Sequence, residues 1–178
     1  GESAAAMVAQ LEQYRAVQGV ADPTATSDDA VVTDYNFLTS GGDAVEASLE
    51  ADGFEVTRLK SQHATDHQWT RAELDSAWLG ASRVPDLAAL NMHYDQYRAL
   101  PAAGDASGSL ADLYTARQVQ AGPSLSQRVV LTVGCHSALN LPDSYGPAGD
   151  DRFYDFAQAY ADKGLAVMVG NLGFGYAD

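Results

Sequence analysis

Two short segments of this 178-residue chain carry side chains that could break a bond by nucleophilic attack. One contains the only cysteine, Cys135, and the other, earlier in the chain, contains His93. Only the thiolate form of a cysteine is nucleophilic, so such a nucleophile needs a neighbouring group that takes its proton. An imidazole does this at neutral pH. The pair therefore indicates thiol chemistry with a histidine base, provided that the fold brings the two together.

Each of these residues follows a segment with the pattern of a buried strand. Residues 128–133 form the clearest β-branched run of the chain, and residues 86–92 predict the preceding strand. If these strands are parallel neighbours, they lie about 4.8 Å apart and their carboxyl ends share one edge of the sheet. Gly134 then permits a tight exit from the strand, with the following N–H groups free to face a carbonyl oxygen.

The other histidines offer alternative sites. His136 adjoins the cysteine and is both the rival base and a candidate substrate contact. Consecutive residues tend to point apart, so we expect His93 to be the base. His63 and His67 have the i, i+4 spacing of a metal pair, but no nearby cysteine completes a site. We therefore expect exposed loop histidines and no metal.

Hydrophobic patterning predicts strands that alternate with helices along the chain. The expected strands cover residues 30–33, 54–59, 86–92, 128–133 and 165–169. The expected helices cover residues 4–19, 41–52, 71–79, 110–119 and 153–162, with a long loop over 94–108. This alternation predicts an α/β fold, an open parallel sheet with helices on both faces. In such folds the reactive loops lie beyond the carboxyl ends of the strands.

Charge restricts the possible partners. The chain has 24 Asp and Glu against 10 Lys and Arg, a net charge of −14. This field repels phosphate, so we expect no binding to nucleic acid or to anionic membranes, while cations would be attracted. No run of about 18 apolar residues exists, so no membrane span is expected. A single cysteine excludes an intrachain disulfide and is compatible with an exported or an intracellular protein.

Several segments resemble the caspase-like fold of cysteine peptidases, in particular the bacterial gingipain and clostripain-like branch. Residues 133–143, VGCHSALNLPD, look like the nucleophile motif of that branch, and residues 91–101, NMHYDQYRALP, look like its histidine loop. VTDYNFL at 32–38 and NLGFGY at 171–176 resemble the segments that leave its first and fifth strands. The resemblance covers roughly residues 30–178.

The resemblance implies an architecture. Residues 30–178 would form a three-layer α/β/α sandwich with a mostly parallel sheet, after an N-terminal helix and connector over residues 1–29. It also implies further sequence after Asp178 that completes the substrate groove.

The resemblance also implies a mechanism. Cys135 would attack the scissile carbonyl of a peptide or protein substrate, and His93 would protonate the leaving amine. The backbone N–H groups of Tyr94 and Cys135 would form the oxyanion hole. No cofactor would take part in bond cleavage, although Ca²⁺ orders loops in some relatives.

Three positions depart from the family pattern. Tyr94 and Ala138 stand where glycine is frequent. Val133 stands where several relatives carry an Asp that binds a basic P1 side chain, the residue before the scissile bond. Asp34 is then the best remaining acid for a basic P1 pocket, with a role in a turn as the alternative.

Three functions follow as hypotheses. The first is a cysteine endopeptidase. The second is a catalytically inactive, caspase-like interaction module, which the departures at Tyr94 and Ala138 favour. The third is a flavodoxin-type domain that binds a small ligand, which needs a phosphate-binding loop after the first strand. Residues 34–37, DYNF, do not supply that loop, and the G-x-x-G-x-G spacing of residues 170–175 follows a late strand instead.

Overall fold

The computed structural model of the protein describes residues 5, 8, 11–12, 28–35, 38–61, 67–142 and 154–175. In chain order its elements are β1 (Asp29–Thr33), α1 (Thr39–Ala51), β2 (Glu55–Leu59), α2 (Arg71–Ala77), β3 (Leu87–Ala89), β4 (His93–Tyr94), β5 (Arg98–Leu100), α3 (Ala102–Ser107), β6 (Tyr114–Thr115), α4 (Ala116–Ala121), β7 (Val129–Leu131), α5 (Phe156–Asp162) and β8 (Val167–Val169).

Five of these strands form one parallel sheet in the order β2-β1-β3-β7-β8. Leu87 of β3 pairs with Val129 of β7, and Ala89 pairs with Leu131. The strands that precede the predicted histidine and cysteine loops are therefore adjacent and in register, which is the condition that the sequence-based site required. Both loops leave the same edge of the sheet.

Helices flank this sheet. Helix α1 packs against β1 and β2, α2 packs against β2, and α4 packs against α5. In the strand order, β2 lies on one side of β1 and β3 on the other. The connection from β1 to β2 therefore crosses the sheet in one direction, and the connection from β2 to β3 crosses it in the opposite direction. Right-handed crossovers therefore put α1 and α2 on opposite faces. The protein is an α/β domain whose layers are consistent with a three-layer α/β/α sandwich, which confirms the predicted fold class.

Capping explains where three helices begin. Thr70 and Glu73 form the predicted capping box at the start of α2. Thr115 caps α4 and Asp155 caps α5 in the same way. The helix predicted from residue 110 therefore begins at Ala116 instead, because the residues before the cap pair with β5.

The prediction of a long loop over residues 94–108 was wrong. This region holds β4 and β5, which form a second sheet with β6 in the order β4-β5-β6, followed by α3. Asp95 closes the turn between β4 and β5, because its carboxylate accepts the N–H groups of Tyr97 (2.8 Å) and Arg98 (2.7 Å). Gly108 ends α3 in the left-handed conformation, at φ 65°.

Aromatic side chains fill the core between the two sheets and the helices. Phe156 of α5 contacts the rings of Tyr94, Tyr114 and Tyr160, at centroid separations of 5.1, 5.6 and 6.1 Å. Trp69 and Trp78 are fully buried beside them, as expected for core residues. Because Tyr94 belongs to this cluster, the histidine loop is anchored directly on the core.

Buried tyrosines predict that the protein loses stability in alkali. Burial raises the pKa of Tyr94, Tyr114 and Tyr160 above the ordinary value of 10.0, and burial, Asp105 and Cys135 raise that of Tyr35 to about 12. Between pH 10 and 12 the unfolded chain releases phenol protons that the folded chain retains. The free energy of unfolding should fall by about 1.4 kcal/mol per pH unit for each such tyrosine. Urea unfolding as a function of pH, followed by phenolate absorbance, measures this. A flat profile over this range would contradict it.

The N-terminal part is described only in places. Positions 5, 8, 11 and 12 are helical and exposed, while the rest of the predicted helix 4–19 and the connector 20–27 lie outside the described residues. Within the described ranges, no helix is long and apolar enough to cross a bilayer.

Candidate functional site

Asn91 ties three strand ends together at the edge where the two predicted loops emerge. It follows β3 and donates its backbone N–H to Thr33 Oγ1 (2.8 Å) at the end of β1. Its side-chain amide donates to Thr33 O (3.3 Å), and its Oδ1 accepts the N–H of Val133 (3.2 Å) beyond β7. This amide therefore fixes the spacing between the histidine loop and the cysteine loop.

Both ring nitrogens of His93 have partners. The Tyr35 hydroxyl lies 3.2 Å from Nδ1, with ring centroids 4.5 Å apart, and Asp105 Oδ1 lies 3.4 Å from Nε2. In the tautomer that carries its hydrogen on Nε2, Nδ1 is the acceptor and the phenol donates to it. Tyr35 remains protonated because burial, Asp105 and Cys135 raise its pKa to about 12.

Cys135 is half-buried, and its sulfur faces the segment after β8. The backbone N–H of Gly175 points at Sγ from 3.4 Å. The thiol also lies 3.8 Å from Gly175 O, to which it can donate. No hydrogen bond joins Sγ to the His93 ring among the residues the structure describes. Tyr35, which is hydrogen-bonded to His93, has a raised pKa to which Cys135 contributes after burial and Asp105.

Hydrogen bonds from the segment after β8 hold the cysteine loop. Asn171 donates its side-chain amide to Val133 O (2.7 Å), and its carbonyl accepts the N–H of Ala138 (3.0 Å). Ser137, fully buried, donates to Gly134 O (2.9 Å). These bonds fix the loop on both sides of the cysteine.

The two predicted oxyanion donors have N–H groups that the neighbouring strands do not use. Within the described ranges, the N–H of Cys135 has no hydrogen-bond partner. The N–H of Asp95 donates to Arg98 O (2.8 Å), and N–H groups alternate sides along an antiparallel strand. The N–H of Tyr94 therefore points away from β5, at the edge of the smaller sheet. Tyr94 does not have a positive φ, so glycine is not required there.

The His136 side chain packs against the segment after β8. It adopts a left-handed conformation, with φ 52°, its N–H donates to Gly173 O (2.7 Å), and its ring packs edge-on against Phe174 at 4.7 Å. Such a backbone costs a residue with a Cβ about 1–2 kcal/mol. The contact that the structure gives this ring is with Phe174, whereas His93 contacts Tyr35 and Asp105.

Asp34 is an internal counter-ion. Its side chain is completely buried, pairs with the Arg58 guanidinium and accepts the N–H of Ser61 (2.8 Å). Burial raises the pKa of this carboxyl, against the opposing effects of Ser61 and Arg58. The hypothesis that Asp34 binds a basic P1 side chain is not supported by this position, because its charge is already compensated inside the protein.

Only one of the two histidines of the predicted metal pair lies among the described residues. His63 lies outside the described residues, and His67 is an exposed residue whose Nε2 lies 2.7 Å from Glu73 Oε1. Among the described side chains, no group of three or more His, Cys, Asp or Glu is arranged to hold a metal ion.

Gly134 is the contact point between the two loops. A Cβ there would overlap the Tyr94 ring and lie 2.9 Å from Met92 O, so close packing and not a positive φ requires glycine. Gly134→Ala should lower the free energy of unfolding by about 1–3 kcal/mol, because either loop must move. Gly41→Ala is the matched control, since no atom lies within 4 Å of its Cβ position in α1. Urea denaturation of both variants tests this, and equal stabilities would contradict it.

Sequence reasoning missed three residues of this site. Tyr35 follows β1 and therefore lies at the reactive edge, a signal that the sequence contains. Asp105 belongs to α3, which the sequence did not predict, and no local pattern indicates its role. Asn91 was part of the histidine motif but had no assigned function.

Comparison of the chain with protein-family models, with curated proteins and with solved structures found no match.

Proposed function

We propose that the protein is a cysteine endopeptidase in which Cys135 is the nucleophile and His93 is the general acid and base. One observation carries the proposal: a Cβ on Gly134 would overlap the Tyr94 ring and lie 2.9 Å from Met92 O, so the residue before Cys135 packs directly against both neighbours of His93. Tyr35, which follows β1, is hydrogen-bonded to His93 Nδ1, and the segments with His93 and Cys135 follow the adjacent parallel strands β3 and β7. A thiol, an imidazole and a fixed phenol at one sheet edge are suited to acyl transfer.

The proposed reaction has two steps. The Cys135 thiolate attacks the scissile carbonyl and forms a thioester, and the thiol proton passes to Nδ1 of His93, directly or through the Tyr35 hydroxyl. His93 gives that proton to the leaving amine. The imidazole then takes a proton from water, which attacks the thioester and releases the acid and the free thiol.

Two neighbours stabilise the charged states. Asp105, at 3.4 Å from Nε2, favours the imidazolium that forms when Nδ1 is protonated. The Tyr35 hydroxyl donates to neutral Nδ1 and accepts from it once it is protonated. The N–H groups of Cys135 and Tyr94 are the candidate donors to the oxyanion.

A peptide library tests the proposal. Fluorogenic peptides that vary at P1 should be hydrolysed with Cys135 unmodified, and hydrolysis should stop in step with alkylation of this thiol, followed by intact mass. Hydrolysis that continues after complete alkylation would contradict the proposal, as would the absence of turnover with every P1 residue.

One observation favours a second function, an inactive caspase-like interaction module. Both His93 nitrogens already have protein partners, and no direct hydrogen bond links the ring to Cys135 among the described residues. In such a module the Tyr35–His93–Asp105 contacts would only stabilise the loop. A thiol that reacts no faster in the folded than in the unfolded chain would support this alternative.

Tyr35→Phe separates a positioning role from a structural one. The ring and its packing stay, and only the hydroxyl on His93 Nδ1 is lost. We expect kcat to fall roughly tenfold with KM little changed, as for other groups that orient a reacting side chain. Tyr97→Phe, at a similarly buried tyrosine (8% exposed, against 5% for Tyr35), is the control and should leave both constants unchanged. A Tyr35→Phe variant with unaltered kcat would contradict the role.

A further inference from the structure

Large exposed apolar side chains lie on the segment that contains the cysteine and on the segment after β8 that contacts its sulfur. Val133, Leu172 and Phe174 are exposed by 54%, 69% and 68%, and we call these three the apolar rim. Single exposed apolar residues are common on protein surfaces, but these three belong to two short segments that hydrogen bonds from Asn171 and Gly175 join at the cysteine loop.

The apolar rim comes from the segment that contains the cysteine and from the segment that contacts its sulfur. Val133 lies two residues before it and is held by Asn171, whose amide donates to Val133 O at 2.7 Å. Phe174 precedes Gly175, whose N–H lies 3.4 Å from the sulfur, and its ring contacts His136. The three side chains thus project from the two segments that support Sγ.

Two carboxylates near this edge, those of Asp34 and Asp105, are already engaged. Asp34 is buried against Arg58, and Asp105 faces His93. A basic substrate side chain would therefore find apolar surface beside the thiol and no available carboxylate in either of these residues. An apolar side chain would instead remove the rim from water.

We propose that the site accepts substrates with a large apolar side chain, such as Leu or Phe, next to the scissile bond. This rests on the proposed function and names its substrate class. Burial of the apolar rim on binding is the source of the preference, and the basic preference suggested by Asp34 is replaced.

Peptide aldehydes test the preference without requiring turnover. Tripeptides that end in leucinal, phenylalaninal or argininal and are otherwise identical protect Cys135 when its sulfur bonds to the aldehyde carbon and the thiol proton passes to the aldehyde oxygen. Protection is measured as slowed alkylation by iodoacetamide, by intact mass, at about 0.15 M salt. Leucinal and phenylalaninal should protect at concentrations at least about tenfold lower than argininal.

Leu172→Ser tests the apolar rim itself, with Leu110→Ser as the matched control, because these leucines are 69% and 67% exposed. The advantage of leucinal over argininal should shrink to about threefold or less in Leu172→Ser and persist in Leu110→Ser. Phe174→Ser should also reduce the advantage of leucinal over argininal. With two variants of the apolar rim, misfolding of one does not decide the outcome.

Three results would overturn the proposal. If argininal protects Cys135 as well as leucinal does, the apolar preference is wrong, although the proposed peptidase function is not contradicted. If none of the aldehydes protects Cys135 from alkylation, the proposed function is contradicted as well. An unchanged aldehyde ranking in Leu172→Ser, together with loss of a dimer in sedimentation, would assign the apolar rim to self-association.

Discussion

Cys135→Ala should abolish peptide hydrolysis, with a loss of roughly 10⁴-fold or more in kcat/KM. The sulfur is the atom that forms the thioester, so no other group of the site can replace it. The side chain is half-buried and small, and the loop around it is held by hydrogen bonds from Asn171 and Ser137. The variant should therefore remain folded, which circular dichroism and thermal unfolding check.

Cys135→Ser serves as the matched control for packing. A hydroxyl preserves the size of the side chain but is a far weaker nucleophile without strong activation. Both variants should lose activity equally. Retention of hydrolysis in Cys135→Ala would show that the nucleophile lies elsewhere.

His93→Ala should lower kcat/KM by about 10²–10⁴-fold, the usual contribution of a general acid and base. Its ring is half exposed, at 48%, so its loss removes little packing and stability should change little. Steady-state hydrolysis of the best peptide from the library measures the effect.

Two other histidines make this comparison specific. His67→Ala removes an exposed ring bound to Glu73 and should leave hydrolysis unchanged. His136→Ala removes a ring packed on Phe174 and should cost far less than His93→Ala. A larger loss in His136→Ala would reverse the assignment of the base.

Local patterns predicted most of the sheet. The β-branched run that became β7 and the alternation that became β2 are properties of short segments, and the structure has strands there. The capping box of Thr70 and Glu73 likewise depends on four consecutive residues. Adjacency of β3 and β7 did not follow from any local pattern, because the second sheet, α3 and α4 separate these strands along the chain.

Features that depend on distant residues escaped prediction. Asp34 looked available for a substrate because its partner, Arg58, lies on β2 and reaches it only in the folded sheet. Residues 94–108 looked like a loop because β4 and β5 are only two and three residues long. Their turn depends on one carboxylate, that of Asp95.

The candidate site was predicted only in part, because some of its residues stand at recognisable strand ends and others do not. Cys135 and His93 stand at ends of recognisable strands, so the sequence could bring them to one edge. Asp105 lies on a six-residue helix whose sequence, AAGDAS, has no clear helical pattern. Tyr35 could have been found by examining the end of β1 as closely as the ends of β3 and β7.

The central claim is that His93 takes the proton of Cys135. The most direct test is the rate of alkylation of this thiol by iodoacetamide at pH 7 in the folded protein, in His93→Ala and in the urea-unfolded chain. An unpaired thiol is only a few per cent thiolate at this pH, so we expect the folded protein to react at least about tenfold faster than the unfolded chain. His93→Ala should remove this advantage. Equal rates in the folded protein and in His93→Ala would contradict the account.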